Sequence, residues 1–299
     1  MLNIKILLEK DINELIDPLQ LMMVIKDLYL KKPYVIERVP IEYLDKWIGL
    51  MPGIDDEVGF VIKVIGIYPR AYPRVRGYIL VFDLENGEIK YIIDAKSATG
   101  WRTATTSALA TKLLLPCKLE EKCFIETLGL IGAGLQGYYH LKIFSQLFDL
   151  GKILVYDINK ENIEDLKKKL VDLKISYTER RLLLEESDVV IAATNSREPV
   201  VEGEYLRKDT IVVSIGAPKP IRELDDIVRK RAKCALVDTI EGVIKESEDV
   251  SNLALIEIGD CLRGSRCSFG DIKLYKSVGT ALLDIAVTKY LINKLSKKS

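Results

Sequence analysis

The sequence predicts an α/β protein in which a doubly wound parallel sheet is joined to a smaller mixed α+β domain. Three observations carry that expectation. Beyond Cys123, short apolar segments alternate with helical ones, the order expected of parallel strands with helices between them. Before Cys123 no regular alternation is present. A Gly-x-Gly-x-x-Gly run at 132–137 falls between a strand and a helix of the alternating part. At 299 residues the chain exceeds the size one core usually serves, so two domains are expected, 1–118 with 280–299 and 119–279.

In the first part, the apolar spacing over 11–30 predicts an amphipathic helix. Residues 59–67 form a β-branched run that reads as a buried strand, interrupted by Lys63. Residues 76–83 and 89–93 flank Glu85-Asn86-Gly87, and Asn-Gly between two such runs signals a hairpin. Good helix formers with little charge occupy 103–115 until Pro116 stops them. In the alternating part, strands are expected at 127–131, 152–157, 188–194, 210–215 and 235–238, with helices such as 135–147 and 161–173. A last amphipathic helix, 279–295, is assigned to the first domain.

Composition narrows the function. Forty-four basic residues balance forty-four acidic ones, so no global field draws the chain to nucleic acid, an anionic membrane or an acidic partner; a small molecule or a protein is the expected partner. No apolar run approaches the roughly 20 residues of a membrane span, and the charged opening segment lacks a secretory pattern, so a cytoplasmic location is expected. Five cysteines form no C-x-x-C, and His140 is the single histidine, so no metal site is expected. The thiols read as buried or incidental; Cys117 with Cys123, or Cys261 with Cys267, could bridge only in an unusual redox setting. His140 lies in an expected helix without a Ser or Cys motif, which argues against hydrolase chemistry.

The glycine run has the Rossmann-type pattern. Gly132 permits the tight turn, Gly134 lets backbone approach a pyrophosphate, and Gly137 lets helix pack on strand, while Leu135 and Gln136 open a helix whose unpaired N–H groups attract the anion. Asp157 stands about 20 residues further on, where a carboxylate accepts from the adenosine ribose, with Asn159 beside it. Its charge would repel a 2′-phosphate, and Ile158 stands where arginine often serves NADP, so NAD is favoured; nearby Lys160 leaves NADP open. Thr194 and Asn195 end a later strand at the sheet edge where such folds bind ligands, and Gly216 and Ala217 complete the cofactor candidates.

Lys63 is the informative residue of the first part. An ammonium inside an apolar strand costs several kcal/mol if buried alone, so it meets an anion, faces a cleft or has a depressed pKa, or else it faces outward on a half-exposed strand. Arg102, in Gly100-Trp101-Arg102-Thr103, precedes the helix expected at 103, beside free N–H groups suited to a carboxylate. Arg38 carries no signal of its own.

Taken in order, Arg38-Val39, Met51-Pro52, Lys63-Val64, the 83–87 hairpin, Arg102-Thr103-Ala104, Ser107-Ala108, Gly132-Ala133-Gly134-Leu135-Gln136, His140, Arg222-Glu223-Leu224-Asp225 and Lys276-Ser277-Val278-Gly279 resemble the ornithine cyclodeaminase/mu-crystallin family, which includes alanine dehydrogenases and ketimine reductases. The resemblance runs through nearly the whole chain. It implies an NAD(P)-dependent oxidoreductase of small amino or imino acids. Arg38, Lys63, Arg102 and Arg74 would then hold the substrate, Lys63 would move the proton, and Arg102 would also touch the cofactor. It further implies a homodimer paired through first-domain sheets, and a structural His140. One departure stands out: cyclodeaminases carry a catalytic aspartate shortly after the glycine resembling Gly216, where this chain has Ala217-Pro218-Lys219-Pro220. That argues against one alternative, a cyclodeaminase-type ammonia lyase, and favours the dehydrogenase and ketimine reductase branch; Lys63 and Arg102 argue against the other alternative, a non-catalytic, dinucleotide-dependent binding protein.

Overall fold

Two sheets, each holding one group of candidate residues, carry the structure. The computed structural model describes residues 4–71 and 75–297, and the chain divides into two units, Met1–Thr103 with Gly279–Ser299 and Ala104–Val278.

The first unit contains β1 (Lys5–Leu7), α1 (Glu9–Leu15), α2 (Pro18–Lys31), β2 (Tyr34–Val35), β3 (Val39–Tyr43), β4 (Lys46–Asp55), β5 (Gly59–Ile67), β6 (Val75–Phe82) and β7 (Ile89–Asp94). Its sheet has the order β1-β7-β6-β5-β4-β2, with β3 also on β4; β1 runs parallel to β7 and the other pairs are antiparallel. Strand register lines up Met51, Lys63, Ile79 and Ile93 across four strands, and all four are buried. A lysine thus occupies one position of an otherwise apolar row.

The helix expected over 11–30 is two helices. Pro18 has no N–H for a preceding turn, Ile16 is extended, and the Asp17 carboxylate caps α2 by accepting from Gln20 N at 2.8 Å. The helix expected from 103 is α3 (Ala95–Leu114), which starts earlier, where the Asp94 carboxylate accepts from Ser97 N at 2.8 Å. Its small residues, among them Ala98, Gly100, Ala104 and Ala108, are buried. A helix buried on most sides has no polar face whose onset marks its start.

The second unit continues through β8 (Cys123–Ile131), α4 (Leu135–Leu147), β9 (Phe148–Tyr156), α5 (Lys160–Lys169), β10 (Ile175–Tyr177), α6 (Arg180–Glu186), β11 (Val189–Ala192), β12 (Ile211–Ser214), α7 (Asp226–Ala232), β13 (Cys234–Val237), α8 (Ile240–Glu246), β14 (Ala254–Glu257), α9 (Ile258–Leu262) and β15 (Lys273–Lys276). Eight parallel strands take the order β10-β9-β8-β11-β12-β15-β13-β14. The expected doubly wound Rossmann-type sheet is present, and its order reverses between β8 and β11, the switch point at which such sheets bind dinucleotides. β11, β12 and β13 are buried along their whole length, as continuous apolar runs in a sheet covered on both faces should be.

The final helix, α10 (Ala281–Ser296), belongs to the first unit and packs on α2, β4 and β5. No helix of the described residues is long and apolar enough to cross a membrane.

The expectation of unpaired cysteines is overturned: Cys117 is bonded to Cys123 and Cys234 to Cys267, leaving Cys261 free. Spacing along the chain could not reveal the second pair, because Cys234 and Cys267, 33 residues apart in sequence, are brought to a Cα separation of 6.3 Å by the fold.

Candidate active site

Within the first unit, β5 projects Lys63 into the apolar row and α10 brings Asp284 to meet it. The Lys63 ammonium donates to Asp284 Oδ1 at 3.0 Å, and Arg102 Nε stands 2.8 Å from the same oxygen. Lys63, Arg102 and Asp284 are 1%, 3% and 0% exposed, so Lys63 faces inward, onto a carboxylate. Burial, then the charge of Arg102 and that of Arg38, bring the Lys63 pKa down to about 7 against the pull of Asp284. Arg102 does not precede a helix start; it lies about two turns inside α3, so the proposed helix-terminus field does not act on it.

Arg38, just before β3, joins this group. A Cβ placed on Gly279 would stand 3.1 Å from Arg102 Nη2 and 3.4 Å from Arg38 Nη2, so both guanidiniums converge on that glycine, whose φ of +86° also suits no other residue well. The Arg38 guanidinium lies 5.7 Å from the centroid of the Trp47 ring, which is in turn accommodated by Gly49, where a Cβ would come within 2.6 Å of Trp47. Three cations beside one buried carboxylate suit a small anion such as a substrate carboxylate. Arg74 lies outside the described residues.

Within the second unit, a cavity of about 480 Å³ opens at the switch point and is lined by Gly132, Gly134, Asp157, Thr194 and Asn195 among others. Gly132 has φ +99°, and a Cβ on Gly137 would stand 2.2 Å from the Gly132 carbonyl, so turn and helix can meet only through glycine. A Cβ on Gly134 would meet nothing within 4 Å, which leaves open the backbone that a pyrophosphate would approach. Leu135 and Gln136 form the first turn of α4, and Gln136 Oε1 is buried with no hydrogen-bond partner among the described residues. The residues present therefore fit a dinucleotide.

The Asp157 carboxylate accepts from Ala133 N at 2.7 Å and from Asn159 N at 2.8 Å, tying the end of β9 to the glycine turn. Asn159 is engaged as the cap of α5, accepting from Glu161 N at 3.0 Å. Lys160 lies over the Tyr177 ring at 4.4 Å. Thr194 lines the cavity as expected, whereas Gly216 is not among its lining residues, and both are engaged within the protein. The Thr194 N–H and hydroxyl both donate to Glu223, as does the Gly216 N–H, while the Gly216 carbonyl accepts from Lys276. Ala217 packs against the hydrophobic core of this unit. His140 is buried, with Nδ1–H donating to the Gln136 carbonyl at 2.7 Å and Nε2 accepting from Ser107 Oγ at 3.0 Å; burial brings its pKa to about 4, so it is a neutral tie between α4 and α3.

Sequence reading missed Asp284 and Trp47, and named Glu223 only within the resemblance, with no role. Asp284 had a usable signal, an acid in the apolar stretch Leu282-Leu283-Asp284-Ile285-Ala286. Trp47 had none, because stacking depends on a hairpin that brings it back to Arg38.

The sequence pattern of the ornithine cyclodeaminase/mu-crystallin family matches residues 5–299. The ketimine reductase mu-crystallin of Rattus norvegicus is 29% identical over 269 residues, which are 86% of this chain and 83% of that protein. The alanine dehydrogenase of Archaeoglobus fulgidus is 28% identical over 271 residues, covering 84% of this chain and 77% of that one. Among solved structures, the Delta(1)-pyrroline-2-carboxylate reductase of Thermococcus litoralis, in complex with NADH and L-proline, is 30% identical and superposes with a TM-score of 0.86 over 98% of each chain.

The lowered Lys63 pKa has a measurable consequence for stability. Below about pH 7 the ammonium is charged in both folded and unfolded chains, and folding bears the whole cost of burying it. Between there and its ordinary value of 10.5 the folded chain releases the proton first, so stability rises with pH. Denaturant unfolding of the wild type and of Lys63→Met from pH 6.5 to 9 should give curves that diverge, with a limiting slope difference of about 1.4 kcal/mol per pH unit. Parallel curves would show that the lysine titrates normally.

Proposed function

Because the chain belongs to the ornithine cyclodeaminase/mu-crystallin family, we propose that it is an NAD(P)-dependent oxidoreductase of a small amino or imino acid, acting as an imine reductase or as an amino-acid dehydrogenase on a 2-oxo acid and ammonia. The observation that carries this reading is the meeting of Lys63, Arg102 and Arg38 around Asp284 and Gly279, in a chain that also has a dinucleotide cradle. The L-proline bound by the Thermococcus litoralis enzyme is an amino acid with the carboxylate such a cluster would hold.

When bound, the nicotinamide would supply or accept a hydride at the substrate's α-carbon. The chain's own part is binding and proton transfer. Arg38 and Arg102 hold the carboxylate by charge-assisted hydrogen bonds, with Trp47 supporting Arg38 from beneath. Lys63, with a pKa near 7, holds the proton that the substrate nitrogen gains as an imine becomes an amine, or takes it in the reverse direction. Asp284 orients Lys63 and Arg102 and keeps part of the lysine protonated at neutral pH. Ala217 offers no carboxylate to activate water, which favours this reading over a cyclodeaminase.

The dinucleotide is read as NAD. Asp157 supplies the repelling charge, Ile158 is exposed beside it, Arg180, which lines the cavity, is paired with Glu202 at 3.1 Å, and Lys160 lies over Tyr177. A homodimer is supported by the exposed apolar side chains of Tyr34, Val39, Ile41 and Tyr43, and light scattering at twice the chain mass would check it. A cytoplasmic location is compatible with two disulfides in a cell such as a hyperthermophile, whose intracellular proteins carry them.

Two measurements test the reading. A panel of 2-oxo acids with ammonia or methylamine, together with cyclic imino acids, should oxidise NADH at least about tenfold faster than NADPH for one member of the set. If none oxidises either cofactor while a tight ligand appears by thermal shift, the chain is a binding protein instead. Lys63→Met should lower turnover by about 10²–10⁴-fold while leaving NADH affinity within about twofold. Unchanged turnover would remove Lys63 from the mechanism.

A further inference from the structure

We propose that Glu223 is a positioning residue whose buried carboxylate, held by Asp249 and Lys276, fixes the chain ends of β11 and β12 as the wall for the nicotinamide half of the dinucleotide. This rests on the dinucleotide reading and goes beyond the residues expected to touch the cofactor.

Glu223 lies between β12 and α7 and is fully buried. Its Oε1 accepts from Thr194 N at 2.7 Å and Thr194 Oγ1 at 2.9 Å. Its Oε2 accepts from Ser214 Oγ at 2.7 Å, Ile215 N at 3.1 Å and Gly216 N at 2.8 Å. Five donors fill the capacity of one carboxylate, and they come from the segments that follow two adjacent strands at the ligand-binding edge of the sheet.

The carboxylate is itself held in place. The Asp249 carboxylate accepts from Glu223 N at 3.2 Å and Leu224 N at 3.1 Å, and the Glu223 carbonyl accepts from Val200 N and Val201 N, each at 2.9 Å. Lys276, also fully buried, donates to Ser214 Oγ at 2.9 Å, the Gly216 carbonyl at 2.6 Å and Asp249 Oδ2 at 2.7 Å. The motifs Arg222-Glu223-Leu224-Asp225 and Lys276-Ser277-Val278-Gly279 thus meet in one network.

Gly216 supports the same assignment. A Cβ there would stand 2.7 Å from Glu223 Cδ, so the glycine makes room for the carboxylate. With both its backbone groups engaged inside the protein, Gly216 shapes the wall rather than bonding a ligand, and Thr194 has likewise committed its N–H and hydroxyl. The chain beyond β11 continues into Asn195, which lines the cavity with Thr194. In a Rossmann-type sheet the adenosine half lies over the strands before the switch point, here β8 and β9 with Asp157, and the other mononucleotide half falls to β11 and β12. Of the groups Glu223 holds, Thr194 borders the cavity beside Gly132, while Ser214, Ile215 and Gly216 lie at the end of β12, on the side of the second mononucleotide half.

Glu223→Gln keeps the shape and removes the charge; whichever way the amide turns, its NH₂ meets N–H donors of Thr194 or of Ile215 and Gly216. Calorimetric titration should be run with NADH and with ADP-ribose, which lacks the nicotinamide. The expected result is NADH affinity about tenfold weaker, with ADP-ribose affinity within about twofold of wild type. Equal losses for both ligands, or no loss, would overturn the proposal. Should Glu223→Gln not fold, Ser214→Ala removes the hydroxyl shared by Glu223 and Lys276, and a few-fold loss confined to NADH is expected of it, with the same overturning results. If wild type binds neither ligand, the cofactor reading itself fails, and this inference with it.

Discussion

A lysine inserted into an apolar strand row cannot be left alone, and the first unit is arranged around that constraint. Taking an ammonium out of water costs several kcal/mol unless a partner is close and well oriented. The partner, Asp284, is 221 residues away in sequence and arrives on α10. The last helix of the chain must therefore lie against β4 and β5, and the same carboxylate then also reaches Arg102 on α3. An ion group of this kind is a poor source of stability compared with apolar packing of equal volume. In the row of Met51, Ile79 and Ile93, burial beside other cations brings this amine into the range where it can exchange protons near neutral pH.

The second unit contains a buried ionic centre of the opposite balance. Glu223 and Asp249 share Lys276, and the remaining acceptor capacity is taken up by backbone N–H groups and hydroxyls. Burial pushes the Glu223 carboxyl upward, and Lys276 with the surrounding donors pulls it back. In the first unit, cationic side chains converge on one carboxylate and one glycine. In the second, charged side chains converge on the protein's own backbone and set its course. The same physical device, a charge enclosed beside opposite charges and hydrogen-bonding groups, occurs in both units.

Glycine marks both centres. Gly279 leaves space for two guanidiniums, and Gly216 leaves space for a carboxylate. Neither would be recognised as part of a charged group from its neighbours in sequence. The glycines of 132–137 differ, since strand, turn and helix follow one another along the chain, and their spacing alone announces their purpose.

Local order was legible in the amino-acid sequence. The strand at 59–67, the hairpin around Asn86-Gly87, the glycine turn and the alternating strands after Cys123 depend on periodicity and turn chemistry, which act between residues close in the chain. The parts decided only by tertiary structure involve groups far apart in sequence or segments buried on most sides. Asp284 facing Lys63, Glu223 gathering the ends of β11 and β12, Cys234 reaching Cys267, and the early start of α3 all belong to this second kind. A buried charge needs a partner, but composition does not say which; that choice is made when the chain packs, because only then does one arrangement satisfy every enclosed donor and acceptor at once.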